Sequence, residues 1–413
     1  MSFLPSFDAP DPLTDADYRE RAAAVIPGGA STGSKRPDAL YGEGEEGPTH
    51  FVAAEGCMLT SVGGTRFLDC TMALGAVALG YADPGVVEAV IDSASRGNVS
   101  ALSHALEVEV AERLVEIIPC AESVRFLKSG AEGVAAAVRI ARTCTGRDAV
   151  IGSGYFGWLD WWSDAAGVPA GVRGDFTGVP FDDVAALETA ASRLGERLAA
   201  VVIEPVVERL PSEEWIGAAR RICDRYGAVL IFDEVKTGFR LRPGGYQEQA
   251  GALPDLAVFG KALANGYPLA AVVGRADVMD AARKSWISST LASDGTALAA
   301  ASAVLDRHAQ EDVCAALQRI GAELRGAVTR ALEASGVEGA RVEGLDPMWL
   351  LRFDEERRLA RFLALARERG VLFKRGAYNF ASLAHDDEEV LNAVELAASG
   401  ALVALREEER HGA

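Results

Sequence analysis

No block of lysine or arginine occurs anywhere in the 413 residues, and acidic side chains outnumber basic ones 60 to 41, a formal charge of −19. Gripping a phosphate backbone takes clustered cations that release counterions, so nucleic acid is excluded as an expected partner. Long apolar runs are missing as well. The longest nearly uncharged stretch, residues 71–82, is interrupted by Gly75 and Gly80 and falls far short of the ~20 residues that cross a bilayer, so no membrane span is expected. No basic residue precedes Arg19; the leader MSFLPSFDAPDPLTDAD is the opposite of a targeting peptide, and a cytoplasmic protein is expected. Cysteine is sparse, at positions 57, 70, 120, 144, 223 and 314 with no C-x-x-C pair. Reduced, mostly buried thiols are therefore expected, with neither a disulfide framework nor a metal site. No strand-like run is followed by G-x-G-x-x-G and a later acidic residue, which excludes a nicotinamide-dependent Rossmann enzyme. The nearest P-loop imitation, GKALANG at 260–266, has its lysine at the wrong end.

What is present points to an α/β protein of two or three folding units: 49% of residues are apolar, enough for sizeable cores, and 43 glycines suit the tight turns of a parallel sheet. Residues 199–204 (AAVVIE) and 228–233 (AVLIFD) are short β-branched runs that each end in a carboxylate, the pattern of parallel strands buried on both faces. Between them, residues 213–226 place Trp215, Ala218, Ala219, Ile222 and Tyr226 at helical spacing with charges opposite, completing a βαβ unit. Further strands are expected at 123–127, 149–151, 256–259 and 270–274, in one mainly parallel sheet flanked by helices, within a large domain over residues 65–305. Residues 1–64 hold the leader, a helix at 14–25 capped by Thr14, a glycine loop and a hairpin ending in Gly63-Gly64. Residues 297–335 read as a long Ala-rich helical stretch broken near Asp312, followed by a hairpin at 341–353 and helices at 355–369 and 386–405. The 1–64 segment is expected to pack with a small α+β domain formed by residues 306–413.

Four segments could carry chemistry: residues 129–142 (SGAEGVAAAVRIAR), 154–158 (GYFGW), 231–240 (IFDEVKTGFR) and 258–270 (VFGKALANGYPLA). In the first, a strand gives way to a helix at Ser129-Gly130-Ala131, where unpaired backbone N–H groups at the positive end of the helix dipole form an anion cradle. An ordinary Ser-capped helix explains the same residues. Asp233 ends an apolar strand, where open α/β sheets bind ligands, and its carboxylate needs either a ligand or a cation such as Arg240. Lys261 follows another strand and precedes a Gly-Tyr-Pro turn, so it is either a functional amine at the same sheet edge or a solvated lysine. The combination of cradle, Asp233, Lys261 and the aromatic Tyr155 weighs toward the functional readings. Pyridoxal 5′-phosphate requires a phosphate site, a lysine that holds its aldehyde carbon, a carboxylate that keeps its ring nitrogen protonated and an aromatic on its ring face.

IFDEVKTGFR and FGKALANGYPLAAVVGR resemble the signature of the class-III, fold type I pyridoxal-phosphate aminotransferases, and SGAE resembles that family's phosphate turn. Counterparts to PGGA at 27–30, GGTRFLDC at 63–70, LGYADPGVVEAV at 79–90, IEPVV at 203–207, STLASDGTALAAA at 289–301 and SLAH at 382–385 extend the likeness over most of the chain, nearest to the branch of glutamate-1-semialdehyde aminomutase. The resemblance implies a large domain with a mainly parallel seven-stranded sheet, a smaller α+β domain from both chain ends, and a homodimer with shared active sites. It makes Lys261 the Schiff-base lysine and Asp233 the partner of the ring nitrogen. Val235 and Tyr155 would lie on the two ring faces, with Phe156 beside Tyr155, and Glu204 would stand near the ring hydroxyl. Ser129, Gly130 and Ala131 would hold the phosphate, and Thr290 would reach the phosphate of the neighbouring subunit's cofactor.

The departures bear on substrate. Tyr155-Phe156-Gly157 stands where the family usually has Tyr-His-Gly, and Trp158, Trp161 and Trp162 follow it, either as packing or as a substrate wall. Where the aminomutases carry an acidic residue ahead of the SLAH-like stretch, this chain has Ala377. Lys374, Arg375, Tyr378 and Asn379 are nearby; Arg375, Tyr378, Asn379 and Trp158 are the expected substrate contacts, with the cations engaging an acidic substrate unless they are solvated surface charges. The reading that follows is a ping-pong aminotransferase acting on a small amino donor and an aldehyde or keto acceptor. The alternatives are an intramolecular aminomutase and an aminotransferase for a sugar aldehyde, acidic or not.

Overall fold

A computed structural model describes residues 13–42 and 45–411, so most of the acidic leader lies outside the described residues. Two compact units emerge: one of residues 75–79 and 83–318, the other built from both chain ends, up to residue 74 and from 319 on, with residues 80–82. The larger unit is organised on a seven-stranded sheet in the order Ser123–Leu127, Ala270–Gly274, Leu256–Phe259, Val229–Asp233, Leu198–Ile203, Ala149–Ser153, Phe176–Gly178. Every neighbouring pair is parallel except those of Ala270–Gly274, which runs antiparallel to both neighbours. The mainly parallel α/β sheet expected from the apolar runs is therefore present. Leu198–Ile203, Val229–Asp233, Leu256–Phe259 and Ala270–Gly274 are buried at every position, which is why they carry no hydrophobic alternation. The edge strand Phe176–Gly178 lies outside the expected strands: three residues, two half-buried and one exposed, leave no apolar run to read.

The helix Gly130–Thr145 lays Val134, Ala137, Val138, Ile140 and Ala141 on this sheet, and Gly133 brings it so close that a Cβ there would stand 2.6 Å from a methyl of Val258. Glu213–Tyr226 buries Trp215, Ala218, Ala219 and Ile222, as its spacing required. The strands Ser123–Leu127, Leu256–Phe259, Val229–Asp233, Leu198–Ile203 and Ala149–Ser153 all point one way, so their carboxyl ends gather on one edge. At that edge the turn Lys261–Ala264 ends on Asn265 in the left-handed region (φ 45°). The buried Asn265 side chain accepts from the Ala78 and Leu79 N–H groups (2.9 and 3.0 Å), tying residues 75–79 to the Lys261 turn.

In the unit of the chain ends, one sheet joins Phe51–Glu55, Met58–Ser61, Arg66–Asp69 and Val371–Leu372, and another joins Ala340–Leu345, Met348–Phe353 and Asn379–Phe380. Its helices include Asp15–Val25, closed by a capping box between Thr14 and Asp17, as well as Glu356–Glu368 and Glu388–His411. The units divide at 75 and 318 rather than at 65 and 305. Arg66–Asp69 pairs with Met58–Ser61 and Val371–Leu372, which places it with the chain ends, whereas Gly295–Gln310 packs on Pro84–Arg96 and Leu106–Ile117 in the larger unit. The break expected near Asp312 separates Gly295–Gln310 from Val313–Ser335. Five of the six thiols are buried and Cys144 is exposed. Among the described residues no helix is long and apolar enough to cross a membrane.

Asn265→Ala removes the acceptor shared by two buried N–H groups, a loss of about 1–3 kcal/mol. At roughly 2–4 °C per kcal/mol for a unit of this size, thermal unfolding should move down by several degrees. An unchanged Tm would show that residues 75–79 are held by something else.

Candidate active site

The carboxyl edge of the large sheet opens into a cavity of about 330 Å³. Its size lies at the low end for a small-molecule site. Each strand delivers its chemistry one or two residues beyond its end: Lys128 and Ser129 after Ser123–Leu127, Tyr155 after Ala149–Ser153, Glu204 after Leu198–Ile203, Lys261 after Leu256–Phe259, with Asp233 itself closing Val229–Asp233. Glycine makes the walls thin. A Cβ on Gly130 would stand 2.9 Å from both methyls of Val235, and one on Gly157, at φ +84°, only 2.2 Å from the Ala131 Cβ. The 154–157 loop and the helix start are thereby pressed against the same small space.

At the start of Gly130–Thr145, Ser129 Oγ accepts from Glu132 N, and Glu132 Oε2 accepts from the N–H groups of Lys128 and Ser129. That capping box leaves the Gly130 and Ala131 N–H groups with no partner among the described residues, at the positive end of a sixteen-residue helix. Asp233 is buried and its Oδ1 accepts from Val235 N at 3.0 Å. Burial, and then the neighbouring Glu204 carboxylate, push the Asp233 carboxyl up to about 7; Val235 N–H, Lys261 and Lys236 offset this only in part. The guanidinium of Arg240 does not relieve it: fully buried, it donates to the Gly75 carbonyl at 2.9 Å.

Three lysines line the cavity, and their partners distinguish them. Lys128 donates to the Pro268 carbonyl at 2.9 Å and pairs with Asp294. Lys236 stands 3.0 Å from Glu204 Oε1, while Glu204 Oε2 accepts from Tyr155 N at 2.8 Å. Lys261 is held below the usual lysine range, first by burial and then by the Lys236 cation, against the opposing pull of Glu204 and Asp233. It is the amine best prepared to lose its proton and act as a nucleophile.

The class-III aminotransferase family model matches residues 41–156 and 175–392. The chain belongs to the class-III aminotransferases. A glutamate-1-semialdehyde 2,1-aminomutase of Thermomicrobium roseum is 33% identical over 415 residues, covering 92% of this chain and 95% of the relative. Among solved structures, the FumI protein of Sphingopyxis sp. MTA144, in a PLP-bound form, is 27% identical with a TM-score of 0.91, covering 96% of this chain and 97% of that one. An omega-transaminase from Sphaerobacter thermophilus is 26% identical with a TM-score of 0.84, covering 95% and 98%.

On this class-III scaffold the cavity is lined by Ser129, Gly130, Ala131, Tyr155, Phe156, Glu204, Asp233, Val235 and Lys261 together. Thr290 is exposed and does not line it. Phe156 turns into the core with Trp161, Trp162 and Phe176, so two of the three loop tryptophans are packing residues, whereas Trp158 is 75% exposed. Arg375, Tyr378 and Asn379 belong to the other unit. There Arg375 pairs with Glu356 and donates to the Asp38 carbonyl, Asn379 is buried and accepts from Lys374 N, and Tyr378 tilts against Phe380. Lys128, Lys236 and Asn265 escaped sequence reasoning; their partners are 32 to 187 residues away, and Lys236 alone gave a local signal, three positions after Asp233. The residues fit pyridoxal 5′-phosphate: two unpartnered N–H groups suit its phosphate, a carboxyl short of a cation suits its ring nitrogen, and an amine of lowered basicity suits its aldehyde. Among the described residues there is no group of three or more side chains able to hold a metal ion.

The raised Asp233 carboxyl has a testable sign. A group that holds its proton more tightly in the folded than in the unfolded chain stabilises the fold at low pH and loses that contribution as pH rises through the folded value. In cofactor-free protein, Asp233→Asn should therefore gain stability relative to wild type between pH about 4 and about 7, as read by Tm at several pH values. A difference independent of pH would mean that Asp233 already has its cation.

Proposed function

We propose that this class-III enzyme uses pyridoxal 5′-phosphate to move an amino group between two small molecules, an amino donor and an aldehyde or keto acceptor. The observation that carries the cofactor reading is Asp233, a buried carboxyl at the sheet edge that lacks a cation, one strand away from a lysine of lowered basicity. When bound, the cofactor supplies a ring that accepts electrons from the substrate's Cα. Asp233 would keep the ring nitrogen protonated; Gly130 and Ala131 N–H, with Ser129, would hold the phosphate; Val235 and Tyr155 would lie on either side of the ring. Lys261 Nζ would hold the cofactor's aldehyde carbon and, when freed by a donor amine, would serve as the base for the proton on the substrate's Cα.

In the resemblance to the aminomutases, Ala377 stands where they carry an acidic residue, and this favours release of one product and entry of a different acceptor. The omega-transaminase likeness over 95% of the chain supports the same form. A second reading, intramolecular amine transfer, is favoured by the aminomutase name of the 33% identical relative. Borohydride reduction of the loaded enzyme should fix the cofactor on Lys261 by peptide mapping; an adduct on Lys128 or Lys236 would overturn the assignment. With donor present and acceptor withheld, the amine form of the cofactor should accumulate and persist. Efficient isomerisation of glutamate-1-semialdehyde without any external donor would replace the intermolecular form by the intramolecular one.

The proposal includes a homodimer with shared sites and a cytoplasmic location. Thr290 lies outside its own cavity, and Trp286 and Leu291 beside it are 89% and 53% exposed, as suits a surface that a second copy covers. If Thr290 serves the partner's cofactor, a heterodimer of Thr290→Ala and Lys261→Ala chains has one doubly damaged site and one intact site, and should keep about half the wild-type activity. Near-zero activity of the purified heterodimer would place both residues in the same chain's site.

A further inference from the structure

The strand Ser123–Leu127, which leads into the phosphate cradle, also holds both ends of the segment that carries Thr290. On the strand, the Arg125 guanidinium donates to the Ile287 carbonyl. One residue past its end, Lys128 Nζ donates to the Pro268 carbonyl at 2.9 Å and pairs with Asp294, the two side chains being only 16% and 9% exposed. Asp294 is in turn the N-cap of the helix Gly295–Gln310; its other oxygen accepts from Ala297 N at 3.1 Å and from Thr296 Oγ1 at 2.6 Å. Between these anchors residues 288–291 are exposed, and among the described residues 288–293 hydrogen-bond only to one another and to Asp294. The place of Thr290 is therefore decided at 287 and 294.

We propose that Lys128, through its ion pair with Asp294, is a positioning residue for Thr290 and so acts on the cofactor of the partner subunit rather than on the cofactor beside it. This rests on the shared-site reading above. Lys128 lines its own chain's cavity, next to the cradle, but its charge is neutralised by Asp294 and a further donor is directed to a carbonyl. Breaking the pair frees one end of the segment, and a hydroxyl no longer held in place loses its charge-assisted bond to a phosphate. The helix start stays where it is, because the Gly295 and Thr296 N–H groups also donate to Asn98, each at 2.8 Å.

The test uses purified heterodimers in which one chain carries Lys261→Ala, so that a single site links the cofactor covalently. The rate at which that site loses its visible band after dilution measures cofactor dissociation. Lys128→Met is combined with Asp294→Asn, which leaves no buried ion unpaired and keeps a capping side chain. Placed in the Lys261→Ala chain, the double change should speed dissociation from the intact site roughly tenfold, the scale of one lost charge-assisted hydrogen bond. Placed in the chain that keeps Lys261, it should leave the rate near wild type. Equal effects in both arrangements would make the pair merely structural, and the reverse pattern would make Lys128 a cradle residue; either overturns the inference. Asp294→Asn alone should act in the same direction and serves if the double variant does not assemble. Thr290→Ala in the Lys261→Ala chain separates the two levels: no effect there would overturn the shared-site reading itself, whereas a Thr290 effect without a Lys128–Asp294 effect would overturn only the inference.

Discussion

A carboxyl group sealed at the end of a fully buried strand, with no cation to match it, is the constraint around which the larger unit is arranged. Taking an ionised carboxylate out of water costs several kcal/mol unless a cation or enough donors replace the solvent. Asp233 has one backbone N–H, two lysines at longer range and a second carboxylate nearby, and it responds by holding its proton up to about pH 7. The guanidinium that could have neutralised it, Arg240, is directed to a backbone carbonyl. The imbalance is left in place.

The rest of the cavity differentiates groups that would otherwise be equivalent. Three lysines reach one space, and ion pairing sorts them: Asp294 occupies Lys128 and Glu204 occupies Lys236, while Lys261 sits under the repulsion of Lys236 and gives up basicity. Fixed ammonium groups cannot act as nucleophiles, so the same salt bridges that orient two lysines leave the third as the amine of lowered basicity. Close approach serves the same end. Gly130 and Gly157 let the helix start, Val235 and the aromatic loop share a volume that one extra carbon would fill.

Phe156 fixes what the aromatic loop does. The side chain joins Trp161, Trp162 and Phe176 in the core beneath the loop, so Tyr155 is presented on a rigid base and is itself tied to Glu204 through its backbone N–H. Arg375 shows the reverse: its adjacent cation and its position in the chain suggest a substrate contact, and the fold engages it with Glu356 and the Asp38 carbonyl.

By itself the sequence determined six of the seven strands of the large sheet, the helices Gly130–Thr145 and Glu213–Tyr226 that pack on it, the N-cap at Ser129 and the location of Asp233 and Lys261 at strand ends. Those features are written in local periodicity and in residue types, such as an unbroken apolar run closing on a charge, that keep their meaning without knowledge of neighbours. Tertiary structure alone decided which cation meets which anion. Lys236 with Glu204, Lys128 with Asp294 and Asn265 with residues 78–79 are pairings over 32 to 187 positions, set by which strands lie side by side. It also decided that the chain divides at 75 and 318, because the strand Arg66–Asp69 finds its parallel partner in Val371–Leu372, about three hundred residues later, through a register of backbone hydrogen bonds that no local pattern encodes.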